Sequence, residues 1–321
     1  MATNELTLSE AREEVAHNSH VLVVEQLAEQ QKPHNPAVSM PKGWEHIPQT
    51  LTLQRPFGRV VVDRWLPRHP SSHAPVLLIH GWGASGSYWG QTANALAETV
   101  PVIVPDLPGT GRSLPVQRAQ RMADQVATLV SILDELQIDR VQVVGHSMGG
   151  AMALLLADAL PDRVERLVLT STCFFLDEEQ VRFYRTIMKA TYVTMTFRPK
   201  WLADLPFVKQ FMATRYFYRV PRDPELLRQG LMEYLTLDYA TAVACANDAS
   251  DPAIPAAGTR LQVPALLIAC RQDEVMPVDN VDYTLQMIPN SSVRWIDECG
   301  HMPMVEQFST YLAYLREFLV L

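Results

Sequence analysis

From Thr50 onward the chain alternates short apolar runs with stretches whose apolar positions recur at helical spacing. Leu51–Leu53 and Val60–Trp65 read as a first hairpin. VLLI (Val76–Ile79), VPVIVP (Val100–Pro105), VQVV (Val141–Val144) and RLVLTS (Arg166–Ser171) read as four buried strands. After a long interval, ALLIA (Ala265–Ala269) and SVRWI (Ser292–Ile296) supply two more. Met122–Leu136, Met148–Leu160 and Ser309–Leu319 carry a helical pattern. Unbroken apolar strands have no polar face to turn to water, so alternating them with helices predicts an α/β fold. The expected form is a mostly parallel twisted sheet with helices on both faces.

The interval from Cys173 to Leu261 breaks this rhythm and holds no convincing strand. Asp177 opens one helical pattern, and Asp223-Pro224-Glu225 joins an N-cap acceptor to a first-turn proline and an acid near the positive helix end. The expected organisation is an N-terminal extension (1–48), an α/β core (49–172 and 262–321) and a helical cap (173–261) inserted into it. The extension carries seven acids against three bases, with a helical stretch Leu8–Gln30 before Pro33, Pro36 and Pro41. No chemistry is assigned to it.

Composition narrows the choice. A chain of 321 residues, 48% hydrophobic and 19% charged, can bury a large core without disulfides or a structural metal. The net charge of -8 argues against a general nucleic-acid binder. The four cysteines form no CxxC pair, which removes the common zinc and thioredoxin patterns and points to a reducing compartment. The N-terminus has no basic segment leading into an apolar one, as a secretory signal would. The longest apolar run, Ala151–Ala157, is too short to span a bilayer, so the expected address is the cytoplasm.

Glycine placement gives the first chemical hint. Nine of the 14 glycines fall in four short turns: Gly81, Gly83 and Gly86; Gly109 and Gly111; Gly145, Gly149 and Gly150; and Gly300. Gly81-Trp82-Gly83-Ala84-Ser85-Gly86 after a strand, with Asp106 twenty residues beyond Gly86, matches a dinucleotide-binding fingerprint. A rival starts at Gly145-His146-Ser147-Met148-Gly149, a G-x-S-x-G between a strand and an apolar helix, the context of a nucleophile elbow. A serine hydroxyl needs a base, and the base an orienting acid. Asp273 lies beyond ALLIA and His301 beyond SVRWI, so all three can converge at the carboxyl edge of a parallel sheet; neighbouring Glu274 is an alternative acid. The dinucleotide reading leaves Ser147, Asp273 and His301 without a role.

Taken together the motifs resemble the α/β-hydrolase superfamily. They are His80-Gly81-Trp82-Gly83, Asp106-Leu107-Pro108-Gly109-Thr110-Gly111-Arg112-Ser113, Gly145-His146-Ser147-Met148-Gly149-Gly150, Asp273 with Pro277, and Gly300-His301. The resemblance covers about Thr50 to Leu321, with the motifs in family order. It implies a serine esterase or thioesterase with a helical cap, using Ser147, Asp273 and His301 and no metal or organic cofactor. It also implies that the backbone N–H groups of Trp82 and Met148 form the oxyanion hole, and that His80 shapes the glycine loop. Serine at the elbow disfavours the family's dehalogenases and epoxide hydrolases, whose nucleophile is aspartate. C–C bond hydrolysis of diketo-type acids, cofactor-free perhydrolysis and a non-catalytic ligand-binding relative remain alternatives.

The cap segment hints at the substrate. Residues Arg182–Arg222 hold nine bases and one acid, Asp204, together with ten aromatics. Val181, Tyr184, Met188 and Met195 follow helical spacing and could line a pocket, with Met302 beside His301. The aromatics read most simply as cap core and the bases as a solvated face. The sharper expectation is a positive surface for an acidic carrier protein or an anionic membrane. Carboxylesterases acting on carrier-held acyl chains are similar in their His-Gly-Trp-Gly turn and cap arginines.

Overall fold

The computed structural model describes residues 46–321. The extension expected over 1–48, including Leu8–Gln30, lies outside the described residues apart from its last three positions.

Eight strands form one sheet: β1 (Gln49–Arg55), β2 (Gly58–Trp65), β3 (Val76–Ile79), β4 (Val102–Asp106), β5 (Val141–His146), β6 (Val164–Thr170), β7 (Ala265–Cys270) and β8 (Ser291–Ile296). Their order is β1-β2-β4-β3-β5-β6-β7-β8. β1 and β2 pair antiparallel, as do β2 and β4, and every later pair is parallel. The expected α/β fold with a mostly parallel sheet is therefore observed. Every residue of β3, β4, β5 and β7 is buried, which is why those segments read as continuous apolar runs.

Several strand boundaries differ from those expected by one or two residues, and two of the shifts have plain physical reasons. β4 starts at Val102, not Val100, because Pro101 has no N–H to give a ladder. β5 runs two residues past Val144, through Gly145 to His146, with His146 still paired to Thr170. The strand therefore delivers the chain directly to Ser147.

Helices α1 (Gly90–Leu96), α2 (Met122–Glu135) and α3 (Met148–Ala159) fill the first crossovers. Between β6 and β7 the chain is all helix: α4 (Glu178–Met195), α5 (Pro206–Thr214), α6 (Pro224–Thr236), α7 (Tyr239–Asp248) and α8 (Ala253–Arg260), with a short 3-10 segment Lys200–Asp204. α9 (Val281–Met287), α10 (Pro303–Glu306) and α11 (Phe308–Leu319) complete the body. The start signals act as the sequence suggests: the Asp177 carboxylate accepts from Gln180 N, and that of Asp223 from Glu225 N and Leu226 N. No helix among the described residues is long and apolar enough to cross a membrane.

Candidate active site

Ser147 sits between β5 and α3 with φ 55° and ψ -124°, a conformation that costs energy for a residue with a Cβ. The fold holds it there. Its N–H donates to Thr170 O at 2.9 Å, and its carbonyl accepts from Gly150 N at 2.8 Å and Thr172 Oγ1 at 3.0 Å. The turn is so tight that a Cβ on Gly145 would lie 2.3 Å from the Gly149 carbonyl oxygen. A Cβ on Gly149 would in turn lie 2.5 Å from the carbonyl oxygens of Ile79 and His80, so both positions of G-x-S-x-G need glycine. The side chain so placed lines a cavity at the start of α3.

His301 follows β8 and is buried. Its Nδ1 meets Asp273 Oδ2 at 2.8 Å, which leaves Nε2 as the nitrogen able to exchange a proton. Asp273 Oδ1 accepts from Val275 N at 2.8 Å and Met276 N at 3.0 Å, so both carboxylate oxygens are fixed. Burial pushes this carboxyl up. The His301 ring, by charge and hydrogen bond, and the two backbone N–H groups outweigh it and hold the group below its ordinary value. Glu274, the alternative acid, points elsewhere: it faces Arg215 at 3.7 Å in an exposed pair. Ser147, His301 and Asp273 line a single cavity of about 1140 Å³.

Two further histidines brace the site. His146 Nε2 lies 2.9 Å from the His301 carbonyl oxygen and must donate to it, so Nδ1 accepts from the Tyr88 hydroxyl at 2.9 Å. That hydroxyl in turn accepts from Gly81 N at 2.7 Å. A chain of hydrogen bonds thus links the glycine turn to the backbone of the histidine loop. Burial, helped by the nearby His301 ring, pushes His146 down to about 3 and keeps it neutral. His80 is likewise buried and shifted down by desolvation; its Nε2 accepts from Leu107 N at 3.0 Å and its Nδ1 donates to Gly81 O at 2.9 Å.

The glycine turn lies against the elbow, since a Cβ on Gly81 would come within 3.2 Å of Ser147 Cβ. Trp82 and Met148, the residues whose N–H groups are expected to bind an oxyanion, both line the cavity. The indole of Trp82 is anchored by its Nε1 donating to Ala242 O at 2.9 Å. The dinucleotide reading loses its acid here. Asp106 is buried, and its carboxylate accepts from Gly86 N at 3.0 Å and from Arg112 N and Nε at 2.8 Å each. It ties two loops together and is closed to a ribose.

Tyr184, Met188 and Met302 line the same cavity, as does Val181. Met195 does not: it is buried with Leu237 and Ala242 in a separate small cluster, because the last turn of α4 leans onto α7. The aromatics taken as cap core are a second correction. Phe183, Phe197, Trp201, Phe207 and Phe211 are exposed.

Several residues of the site went unnoticed in the sequence. Glu233 on α6 lines the cavity and accepts from Ser87 Oγ at 2.6 Å and Ser85 N at 3.0 Å, with burial raising its carboxyl above the ordinary value. Glu306 holds Gly300 N, Tyr218 N and Arg219 N, joining the histidine loop to the insertion. Neither these acids nor Tyr88 stands in a motif, so no spacing rule could have found them. Among the described residues no His/Cys/Asp/Glu cluster could hold a metal ion.

Several known proteins are similar to this chain. A lipase of Mycobacterium tuberculosis, LipV, is 41% identical over 124 residues, 38% of this chain; the chain spans about half of that lipase, 47% of its length. A pimeloyl-[acyl-carrier protein] methyl ester esterase of Vibrio campbellii is 25% identical over 246 residues, covering 76% of this chain and 93% of the relative. Among solved structures, a thermophilic esterase from Thermogutta terrifontis superposes with a TM-score of 0.67 at 22% identity, covering 85% of this chain and 98% of its own. The profile of the Alpha/beta hydrolase family matches residues 76–311, from β3 into α11 and through every element that carries the site. The chain belongs to the alpha/beta hydrolase family.

Proposed function

We propose that this hydrolase is a serine enzyme that cleaves a carboxylic ester or thioester through an acyl-enzyme. One observation carries the reading: a strained serine at a helix start faces the same cavity as an imidazole whose far nitrogen is held by a buried carboxylate. Ser147 Oγ attacks the carbonyl carbon while His301 Nε2 takes its proton. The imidazolium is stabilised by Asp273 and returns the proton to the leaving alkoxide or thiolate. The Trp82 and Met148 N–H groups hold the oxyanion, each contributing roughly 3–4 kcal/mol to the transition state. Water, activated by the same imidazole, then releases the acid and restores the serine.

The cavity favours an apolar acyl part, because Val181, Tyr184, Met188 and Met302 offer hydrocarbon and ring surface around the reacting centre. The lipase and esterase relatives support this class of substrate. The domain division expected from the sequence, with 173–261 as a cap, fits a lid that excludes water from the acyl-enzyme.

The test is labelling by a fluorophosphonate together with a chain-length panel of aryl esters and acyl thioesters. Label on Ser147 and a trapped acyl-enzyme are expected. Label elsewhere, or turnover of vinylogous diketo acids with none of esters, would replace the reading.

A further inference from the structure

We propose that the outer face of the helical insertion docks onto an anionic lipid surface and brings the mouth of the catalytic cavity against it. The inference rests on the hydrolase reading only for its purpose, delivery of lipid-borne esters; the docking surface stands on its own observations.

The first is where exposed apolar side chains fall. Among the described residues thirteen large ones are exposed, and nine of them lie between Leu176 and Tyr218. Scattered single residues would need no explanation, whereas such concentration marks an interaction surface. Phe207 and Phe211, four apart on α5, are 70% and 75% exposed. A helical spacing of four puts both on one face.

The second is continuity with the cavity. Phe183 and Ile187 of α4 are exposed and also line the cavity, so they stand at its mouth. α5, which carries the outward pair, lines the cavity through Lys209 and Met212. Exposed apolar side chains of α4 therefore reach into the cavity that Ser147 also lines.

The third is charge. Nine bases and one acid between Arg182 and Arg222 give this stretch +8 in a chain of -8. Lys189, Lys200 and Lys209 pair with no acid among the described residues. The ion pairs of Arg182, Arg215 and Arg219 are exposed and weak in water. Bases interleaved with outward Phe and Trp side chains are the chemistry of an interfacial segment: the rings enter the acyl boundary and the cations meet phosphate headgroups. An acidic carrier protein would use the bases and leave Phe207 and Phe211 unexplained.

The experiment is flotation of the full chain with vesicles of phosphatidylglycerol and phosphatidylcholine, against phosphatidylcholine alone and a soluble acyl carrier protein. Binding to the anionic vesicles should be about tenfold or more stronger than to neutral ones, and should weaken in about 1 M salt. Phe207→Ser with Phe211→Ser, and separately Lys189→Glu with Lys200→Glu, should each weaken it about tenfold. Turnover of a short soluble ester should stay unchanged in both, which shows that the variants fold. Ser147→Ala should bind vesicles like the parent chain. Absence of vesicle binding, wild-type binding by both patch variants, or capture by the carrier protein alone would overturn docking. Loss of ester turnover with vesicle binding intact would overturn the hydrolase reading and leave docking standing.

Discussion

The carboxyl edge of the sheet and the helical insertion are built in opposite ways. In α3, directly behind Ser147, eight of twelve residues are buried. In α4, eighteen residues long, only Met195 is. At the sheet edge each proposed catalytic side chain is fixed by several bonds: Ser147 through its strained backbone, Asp273 through two N–H groups, His301 through carboxylate and carbonyl contacts. The segment from α4 to α6 buries little, and its ties to the sheet edge include Glu233 on the glycine loop and Glu306 accepting from Tyr218 N and Arg219 N. Catalytic geometry tolerates little displacement, which suits the densely bonded layer to the proposed chemistry, while α4 to α6, with few buried side chains, can shape a cavity.

That contrast can be broken most directly at Ser147. Ser147→Ala should lower kcat on an aryl ester by about a millionfold while leaving thermal stability nearly unchanged, since alanine has the same Cβ and bears the same strain at φ 55°. Stopped-flow turnover and calorimetry check both halves, and residual turnover near the parent rate would move the nucleophile elsewhere. Asp273→Asn should follow with a drop of about 10⁴ in kcat and little change in KM, because the imidazole loses its orienting charge but keeps its place. A comparable loss from Glu274→Gln would instead assign the acid to the exposed neighbour.

Stability separates the layers next. Leu154→Ala, in the buried face of α3, should cost about 2–5 kcal/mol in denaturant unfolding. Phe211→Ser, on the exposed face of α5, should stay within about 0.5 kcal/mol. Similar costs at both positions would mean that the insertion is packed as tightly as the core.

A smaller effect than the loss of core packing is expected from pH. The fold holds His146 neutral, down to about 3 from an ordinary 6.5. Below 6.5 the unfolded chain therefore takes up a proton that the native one refuses, and stability falls as pH drops through that window. Between pH 6.5 and 5 this amounts to up to about 2 kcal/mol. His80 is shifted the same way and adds to the slope. Asp273, shifted down, keeps its contribution above its ordinary value of 3.8 and loses it only in stronger acid. Urea titrations of the parent chain and His146→Gln at the two pH values should show a shallower acid loss in the variant; equal losses would put the proton uptake on other groups.

The two layers also differed in how far they could be read in advance. β3, with all four residues buried, was readable to its ends, and Asp177 and Asp223 announced their helices through a local hydrogen bond. Gly145 and Gly149 were legible because a steric demand leaves few residue types possible. In the insertion, periodicity found helices but misjudged their faces. Met195 keeps the spacing of Tyr184 and Met188 yet turns to a different cluster, and Phe207 and Phe211 are as hydrophobic as core residues yet face solvent. An amphipathic period says which residues share a face and is silent on what that face meets.

Amino-acid order alone settled the alternation of buried strands and helices, the elbow glycines and the three polar side chains placed after strand ends, because each depends on sterics or periodicity within a few residues. Only the folded chain decided that Asp273 and not Glu274 takes the His301 ring, that Asp106 closes onto Gly86 and Arg112, and that Tyr88 joins Gly81 to His146. Those choices rest on distances between groups far apart in the chain, set by the register of parallel strands and by where each loop finds a partner for its buried polar atoms.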